Sequence, residues 1–214
     1  MEKQSHFEDA LSLERSNRYS EAYLLFEQCL RAEEHDRGDI LFHLGWCMEN
    51  GVFGSGAEAI DLYQRAAEQT LFPITRMNAL FRAGWLNMQS KQFAISAAFY
   101  KKAIDCKETD ALDTDIYPHA VYWYAVCLET QGQYLEALHW YVHARTLSGM
   151  LDPEARFREI HCRTQIGAYS EALALCRTFA LPPAQCFSEE RYRELRTLAE
   201  QEGKILQALL AENF

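Results

Sequence analysis

The sequence predicts an all-α protein: an array of about five helical hairpins closed by a last C-terminal helix. Apolar residues recur three and four positions apart through most of the chain, which is the period of a helix buried along one face. A small residue also recurs in a similar setting at positions 22, 59, 96, 137 and 172, with spacings of 37, 37, 41 and 35 residues. Spacings of this size are typical of stacked helical hairpins.

The composition is that of a folded protein and argues against two classes of partner. The chain has 214 residues, a formal charge of −10 and 13 % aromatic residues. A negative surface repels phosphate backbones, so nucleic acid is an unfavourable ligand. The apolar runs fall short of the ~20 residues that a membrane span needs. The polar N-terminus resembles no targeting peptide, and seven cysteines without a CxxC pair favour reduced thiols, so we expect a cytoplasmic protein.

The repeat units follow one another without a Gly/Ser-rich linker, so we expect a single domain over residues 1–214. In the third unit, Gly84 allows the first helix to approach its partner closely, Phe93 plugs the turn and Tyr100 packs back. Small and aromatic residues recur in a similar order in the other units. The units are expected at about residues 3–35, 38–71, 76–106, 117–149 and 153–181, and the closing helix at 188–212.

Turn and cap residues support these boundaries. Gly132 and Gly167 are expected to adopt positive φ between the helices of the fourth and fifth units. Asp152 and Pro153 form a helix start, and Ser188 is a capping residue for the closing helix. This helix should cover the exposed end of the array with one apolar stripe. The stripe comprises Tyr192, Leu195, Leu198, Ile205, Leu206 and Leu209.

Over about residues 3–180, the repeated pattern resembles the tetratricopeptide repeat (TPR) family. The family's small site in the first helix is filled by Ala10, Gly45, Gly84 and Ala125. The second unit has extra turn residues and is similar to the Sel-like repeat, and the fifth unit departs by having Ile160 at the small site. The resemblance implies a right-handed α-solenoid in which the first helices of the hairpins line a concave groove.

Groove-facing positions in such an array lie three residues before and one residue after each small site. Residues four apart share one helix face, so Phe42 with Trp46 and Phe81 with Trp85 should form adjacent aromatic pairs. Acidic residues lie at the margin, and the Lys, Asn and Arg clamp that some family members use for carboxylates is absent. The predicted protein-binding groove comprises Phe7, Phe42, Trp46, Glu49, Phe81, Trp85, Tyr122, Glu129, Phe157 and His161.

An aromatic surface of this kind usually marks a protein-binding site. We therefore expect a non-enzymatic adaptor, scaffold or chaperone-like module that binds an apolar peptide or helix carrying some basic residues, Lys or Arg. One variant resembles the translocator chaperones of type III secretion, although their pattern has about three repeats. The alternative is that these aromatic residues belong to the core, or are covered by the closing helix or a second copy. The protein would then be a structural homo-oligomer.

Other chemistry receives little support from the sequence. His139 and His143 lie four apart, as a metal pair would, but Trp140 stands where a zinc-protease motif needs Glu. The Gly-rich segment 51–56 lacks the Lys of a phosphate-binding loop. Asp113 and Asp115 suggest a calcium loop without its turn Gly or its closing Glu. We expect no catalytic residue, metal or cofactor, and keep a metal-binding or enzymatic protein as the least favoured alternative.

Overall fold

The computed structural model describes residues 6–51, 54–106, 116–179 and 188–212. Within these ranges the regular structure is helical, without a strand, and consecutive helices pack in pairs. The predicted all-α array of helical hairpins is confirmed. The helices are α1 (His6–Arg15), α2 (Tyr19–Ala32), α3 (Arg37–Asn50), α4 (Gly56–Gln69), α5 (Pro73–Gln89), α6 (Phe93–Asp105), α7 (Ile116–Thr130), α8 (Tyr134–Leu147), α9 (Asp152–Gln165), α10 (Tyr169–Thr178) and α11 (Glu189–Glu212).

Each predicted repeat holds one pair of helices, from α1–α2 to α9–α10. One difference in a boundary is at α5, which begins at Pro73, three residues before the predicted start of the third unit. Proline suits the first turn of a helix, because its missing N–H has no intrahelical partner there. The chain divides into two compact units, Met1–Tyr117 and Pro118–Phe214, called unit 1 and unit 2 below. A single domain over 1–214 stays a prediction.

The small residues hold the two helices of a hairpin close together. A Cβ atom built on Gly45 would lie 3.0 Å from the ring of Tyr63, and one built on Gly84 would lie 3.0 Å from the ring of Tyr100. Both tyrosines are fully buried. The predicted close approach at Gly84 is therefore confirmed. The small residues at the starts of the second helices are also fully buried: Ala22, Ala59, Ser96, Ala137 and Ala172.

All five turns between paired helices contain a residue at positive φ, which in the second hairpin is Gly54 at φ +86°. Gly132 has φ +77° and Gly167 has φ +80°, as predicted. The corresponding turns of the first and third hairpins contain Asn17 at φ +58° and Lys91 at φ +59°, which the sequence analysis missed. Asn adopts this conformation readily, whereas Lys does so at a cost that the surrounding hairpin must offset.

The second hairpin has a different helix start. The Ser55 hydroxyl oxygen accepts a hydrogen bond from the Glu58 backbone N–H at 3.3 Å. The Glu58 carboxylate in return accepts one from the Ser55 backbone N–H at 2.7 Å. This capping box satisfies two donors that the helix leaves unpaired, and so defines where α4 begins.

The closing helix α11 packs on α9 and α10 in unit 2. Ser188 caps it, as predicted, by accepting a hydrogen bond from the Arg191 backbone N–H at 3.0 Å. The predicted stripe is only partly right, because Leu198 and Ile205 are 43 % and 55 % exposed. The buried face follows a register with spacings of three and four: Tyr192, Leu195, Ala199, Gly203 and Leu206.

Candidate protein-binding surfaces

Unit 1 carries an aromatic surface on two neighbouring first helices. Phe42 and Trp46 lie on α3, Phe81 and Trp85 lie on α5, and all four side chains are half-buried. We call these four residues the α3–α5 aromatic surface. The Arg82 guanidinium lies 5.0 Å from the Trp46 ring centroid, which ties the two helices together at this point. The predicted pairs at 42/46 and 81/85 thus lie near one another and retain exposed area.

The phenylalanine rings of this surface lean on the tyrosines of their own hairpins. The centroid of Phe42 is 5.7 Å from that of Tyr63, and Phe81 is 5.5 Å from Tyr100. Each ring therefore has one side in the seam of the hairpin. The other side provides the area that a ligand could contact. The aromatic excess of the sequence thus contributes to both the core and the surface.

Two other aromatic residues of the predicted groove are buried. Phe7 is 7 % exposed, and its ring stacks on His35 with a centroid distance of 3.9 Å. Tyr122, in unit 2, is also 7 % exposed, and its ring lies 5.7 Å from that of Tyr141. These two side chains offer little area to a ligand, and their main contribution is to packing.

The carboxylate of Glu49 is already engaged inside the protein. The Tyr63 hydroxyl donates to it at 2.7 Å, and Arg82 Nε donates to it at 3.0 Å. The Glu49 side chain is 10 % exposed. Burial and this adjacent carboxylate raise the pKa of the Tyr63 phenol, because both disfavour the phenolate.

The same arrangement recurs in unit 2 around Glu129. The Tyr141 hydroxyl donates to its carboxylate, and Arg158 Nη1 donates to it at 3.2 Å. Glu129 is 8 % exposed on its side chain. The sequence contains a signal for this arrangement that its analysis missed. The Glu lies four residues after the small site of the first helix, and the Tyr lies four residues after the small residue of the second helix. The Arg lies two residues before the small site of the next hairpin.

An incomplete form of this arrangement joins the first two hairpins. Glu14 occupies the position of the glutamates, and His43 occupies the position of the arginines, with 2.8 Å between His43 Nδ1 and Glu14 Oε2. Phe26 stands where the tyrosine would be. Glu14 and Glu49, two acidic residues of the predicted margin, are thus hydrogen-bonded within unit 1 and offer a ligand fewer free acceptors than the sequence suggests.

Unit 2 contains a cleft that brings three predicted residues together. Glu129, Phe157 and His161 line a cavity of about 180 Å³ between α7, α9 and α11. Phe157 also packs against the hydrophobic core beneath α11, so the closing helix covers part of α9 and leaves the cleft beside it. The complete lining, which we call the α9–α11 cleft, is Glu129, Phe157, Arg158, Ile160, His161 and Glu202.

Metal and membrane sites find no support in the part of the chain that the structure describes. His139 is exposed and His143 half-buried on α8, and both rings lie about 6 Å or less from Trp140. No group of three or more His, Cys, Asp or Glu side chains there could hold a metal ion. None of the described helices is long and apolar enough to cross a bilayer. Asp113 and Asp115 lie outside the described residues.

Comparison with known proteins supports the architecture. The tetratricopeptide repeat family profile matches residues 7–73, which cover α1 to α4 except for His6. No curated protein sequence matches the chain significantly. Among solved structures, YrrB is described as a TPR protein with an unusual peptide-binding site. It is 15 % identical, the match covers 98 % of this chain and 91 % of YrrB, and the TM-score is 0.64.

The name MamA recurs among the other similar structures. MamA AMB-1 is 18 % identical, with 80 % of this chain and 86 % of that chain covered, at a TM-score of 0.62. A second MamA structure is 14 % identical, with 92 % and 91 % covered, at a TM-score of 0.63. At these identities the likeness concerns the fold alone.

Proposed function

We propose that this chain, which the tetratricopeptide repeat profile matches over residues 7–73, is a non-enzymatic module that binds an apolar segment of a partner protein. The family consists typically of non-catalytic binding modules, which supports an adaptor, scaffold or chaperone-like role. The peptide-binding site named for YrrB supports it by analogy of fold. The proposed ligand is a helix or an extended peptide with several apolar side chains.

The observation that carries this proposal is the α3–α5 aromatic surface of unit 1. Four large rings on two adjacent helices keep exposed area, although burying each would release free energy in proportion to the apolar area removed from water. Tryptophan is among the residues that most often dominate binding energy at interfaces. Because Arg82 neutralises Glu49, this surface should favour uncharged apolar side chains.

The test uses peptides selected from a random displayed library against the full chain. Replacing Trp46 or Trp85 with Ala should weaken the binding of the enriched peptides by about thirtyfold, the loss expected when a central interface residue is worth about 2 kcal/mol. The matched control is Trp140→Ala, on α8, the second helix of the fourth hairpin. It should leave the affinity within about twofold of wild type. Circular dichroism would check that helicity is retained.

Unchanged affinity in both α3–α5 variants would contradict this function. So would a wild-type protein that enriches no peptide at all. An effect of Trp140→Ala as large as that of Trp46→Ala would point to general destabilisation and would also count against the proposed surface.

A second candidate function, self-association, is favoured by α11. Leu198 and Ile205 lie seven residues apart on this helix and are 43 % and 55 % exposed, so they form an apolar ridge that unit 2 leaves uncovered. Light scattering over a range of protein concentrations tests it. A mass that rises with concentration, and returns to one chain in Leu198→Glu, would support self-association, and a constant single-chain mass would exclude it.

A further inference from the structure

The α9–α11 cleft has an imbalance of charge. Three of its four ionisable side chains form one group: Arg158 donates to Glu129 at 3.2 Å, and His161 Nε2 lies 3.8 Å from the same carboxylate. The fourth, Glu202, comes from α11. Its described hydrogen bond is with the Thr164 hydroxyl, at 3.4 Å, and it has no cationic partner among the described residues. The cleft therefore holds one carboxylate whose charge the described side chains do not neutralise.

Part of the cleft lining is apolar. Phe157 and Ile160 are among the lining residues, and Ile160 belongs to the core beneath α11, where it is 1 % exposed. An aliphatic chain with a charged end suits such a cleft, because the methylene groups cover the apolar part of the lining while the charge stays near the carboxylate and water.

We propose that the α9–α11 cleft receives a lysine or arginine side chain of the bound partner, with Glu202 as its counter-ion. This inference rests on the proposed function, the binding of a partner protein, and adds the chemistry of a separate partner contact on unit 2. The formal charge of −10 favours the same ligand, because the protein's field attracts cations. A carboxylate of the partner at this position would face Glu202, whose charge no described cation neutralises, so complementarity favours a cation there.

The site depends on the closing helix, which distinguishes it from the remaining predicted surface. Glu202 lies on α11, beyond the last hairpin, and the repeat pattern of the sequence does not include it. A basic side chain in the cleft would contact α7, α9 and α11 together. Binding should therefore protect α11 from local opening, because a ligand that binds only the closed form stabilises it.

The experiment is a double-mutant cycle with Glu202→Gln and peptides selected from a random library against the wild-type full chain. The enriched peptides should contain Lys or Arg beside apolar residues. Changing that basic residue to Met should weaken binding to wild type by about tenfold to a hundredfold, the range for a charge-assisted hydrogen bond. With Glu202→Gln, the same change in the peptide should have an effect of less than about threefold.

Glu200→Gln is the control, because Glu200 lies on the same helix, is exposed and pairs with Arg196. It should behave as wild type in the cycle. Raising the salt concentration should weaken the binding of the basic peptide to wild type, since salt screens the ion pair between the peptide and Glu202. The affinity of the same peptide for the Glu202→Gln variant should depend less on salt.

The outcomes separate the two proposals. The enriched peptides could require Trp46 and Trp85 for binding, while the peptide's change to Met and Glu202→Gln have additive effects on affinity. That result would overturn the basic subsite but would still support the proposed function. Enriched peptides without Lys or Arg would overturn it as well. A library that yields no binding peptide would overturn both.

Discussion

The glycines of the small sites determine how closely the helices of the second and third hairpins approach. Replacing Gly84 with Ala would place a methyl group 3.0 Å from the buried Tyr100 ring. Overpacking of this kind costs about 1–3 kcal/mol, of which the better helix propensity of Ala returns about 1 kcal/mol. We expect Gly84→Ala to lower the free energy of unfolding by about 1 kcal/mol in urea denaturation.

Gly56→Ala is the control for this substitution. Gly56 begins α4, and a Cβ atom there would meet nothing within 4 Å. Its replacement should leave the stability unchanged or raise it by up to about 1 kcal/mol, because the unfolded chain loses conformational freedom. Equal destabilisation by both substitutions would mean that the Tyr100 contact is unimportant.

Buried thiols make the stability of the protein sensitive to alkaline pH. Burial raises the pKa of the Cys29 and Cys176 thiols to about 11 and that of the Cys47 and Cys162 thiols to about 12, against 9.0 for an unperturbed thiol. The folded state therefore holds these protons at pH values where the unfolded chain has lost them. Stability should be retained below about pH 9 and fall as the pH rises from about 9 to about 12.

Urea unfolding in a reducing buffer at several pH values checks this prediction. Cys47→Ala should lose less stability than wild type across the same interval, because one of the shifted groups is absent. A wild-type free energy of unfolding that stays level up to about pH 11 would contradict the prediction.

At the scale of a single element, α11 shows which apolar residues of an amphipathic helix carry its docking energy. Leu206 is fully buried against α9 and α10, whereas Leu198 is 43 % exposed. Leu206→Ala should cost about 2–5 kcal/mol, as large-to-small changes in a core do. Leu198→Ala should change stability by less than about 0.5 kcal/mol, as surface substitutions do.

Thermal and urea denaturation of the two variants would measure this difference. The comparison uses the same substitution on the same helix, so differences in helix propensity cancel. Similar losses in both variants would indicate that Leu198 and Ile205 are covered in solution, which is the result expected if a second copy packs there.

The register of α11 also marks the limit of sequence patterns for an element. The sequence predicted the helix, its cap at Ser188 and its role of covering the last hairpin. It grouped Leu198 and Ile205 with the buried face because all six stripe residues are apolar. Only packing shows that Ala199 and Gly203 lie on the buried side, since small residues allow α11 to approach α10 closely.

For the molecule as a whole, charge leads to a prediction about nucleic acid. With a net charge of −10, the chain should repel phosphate backbones, and lowering the salt should strengthen that repulsion because it is screened less. A gel-shift experiment with duplex DNA at low salt should show no complex at micromolar protein. Retention that grows as the salt is lowered would contradict this expectation.

Two compact units describe the whole chain, and the predicted surfaces divide between them. The aromatic residues at positions 42, 46, 81 and 85 belong to unit 1, while the cleft with Glu129 and Glu202 belongs to unit 2. Each unit therefore carries its own candidate surface. The tests with Trp46→Ala and Glu202→Gln address the two units separately.

The sequence by itself determined the helical hairpins, their number and order, the turn glycines and the closing helix. These follow from local spacing, because the helical period and the small residues of each hairpin are set within about forty residues. Tertiary structure alone decided which candidate site residues are buried, which are paired and which lie together. It paired Glu49 with Tyr63 and Arg82, buried Phe7 and brought Glu202 to Phe157. Such contacts join residues from separate helices, and their packing geometry is not encoded in the period of any one helix.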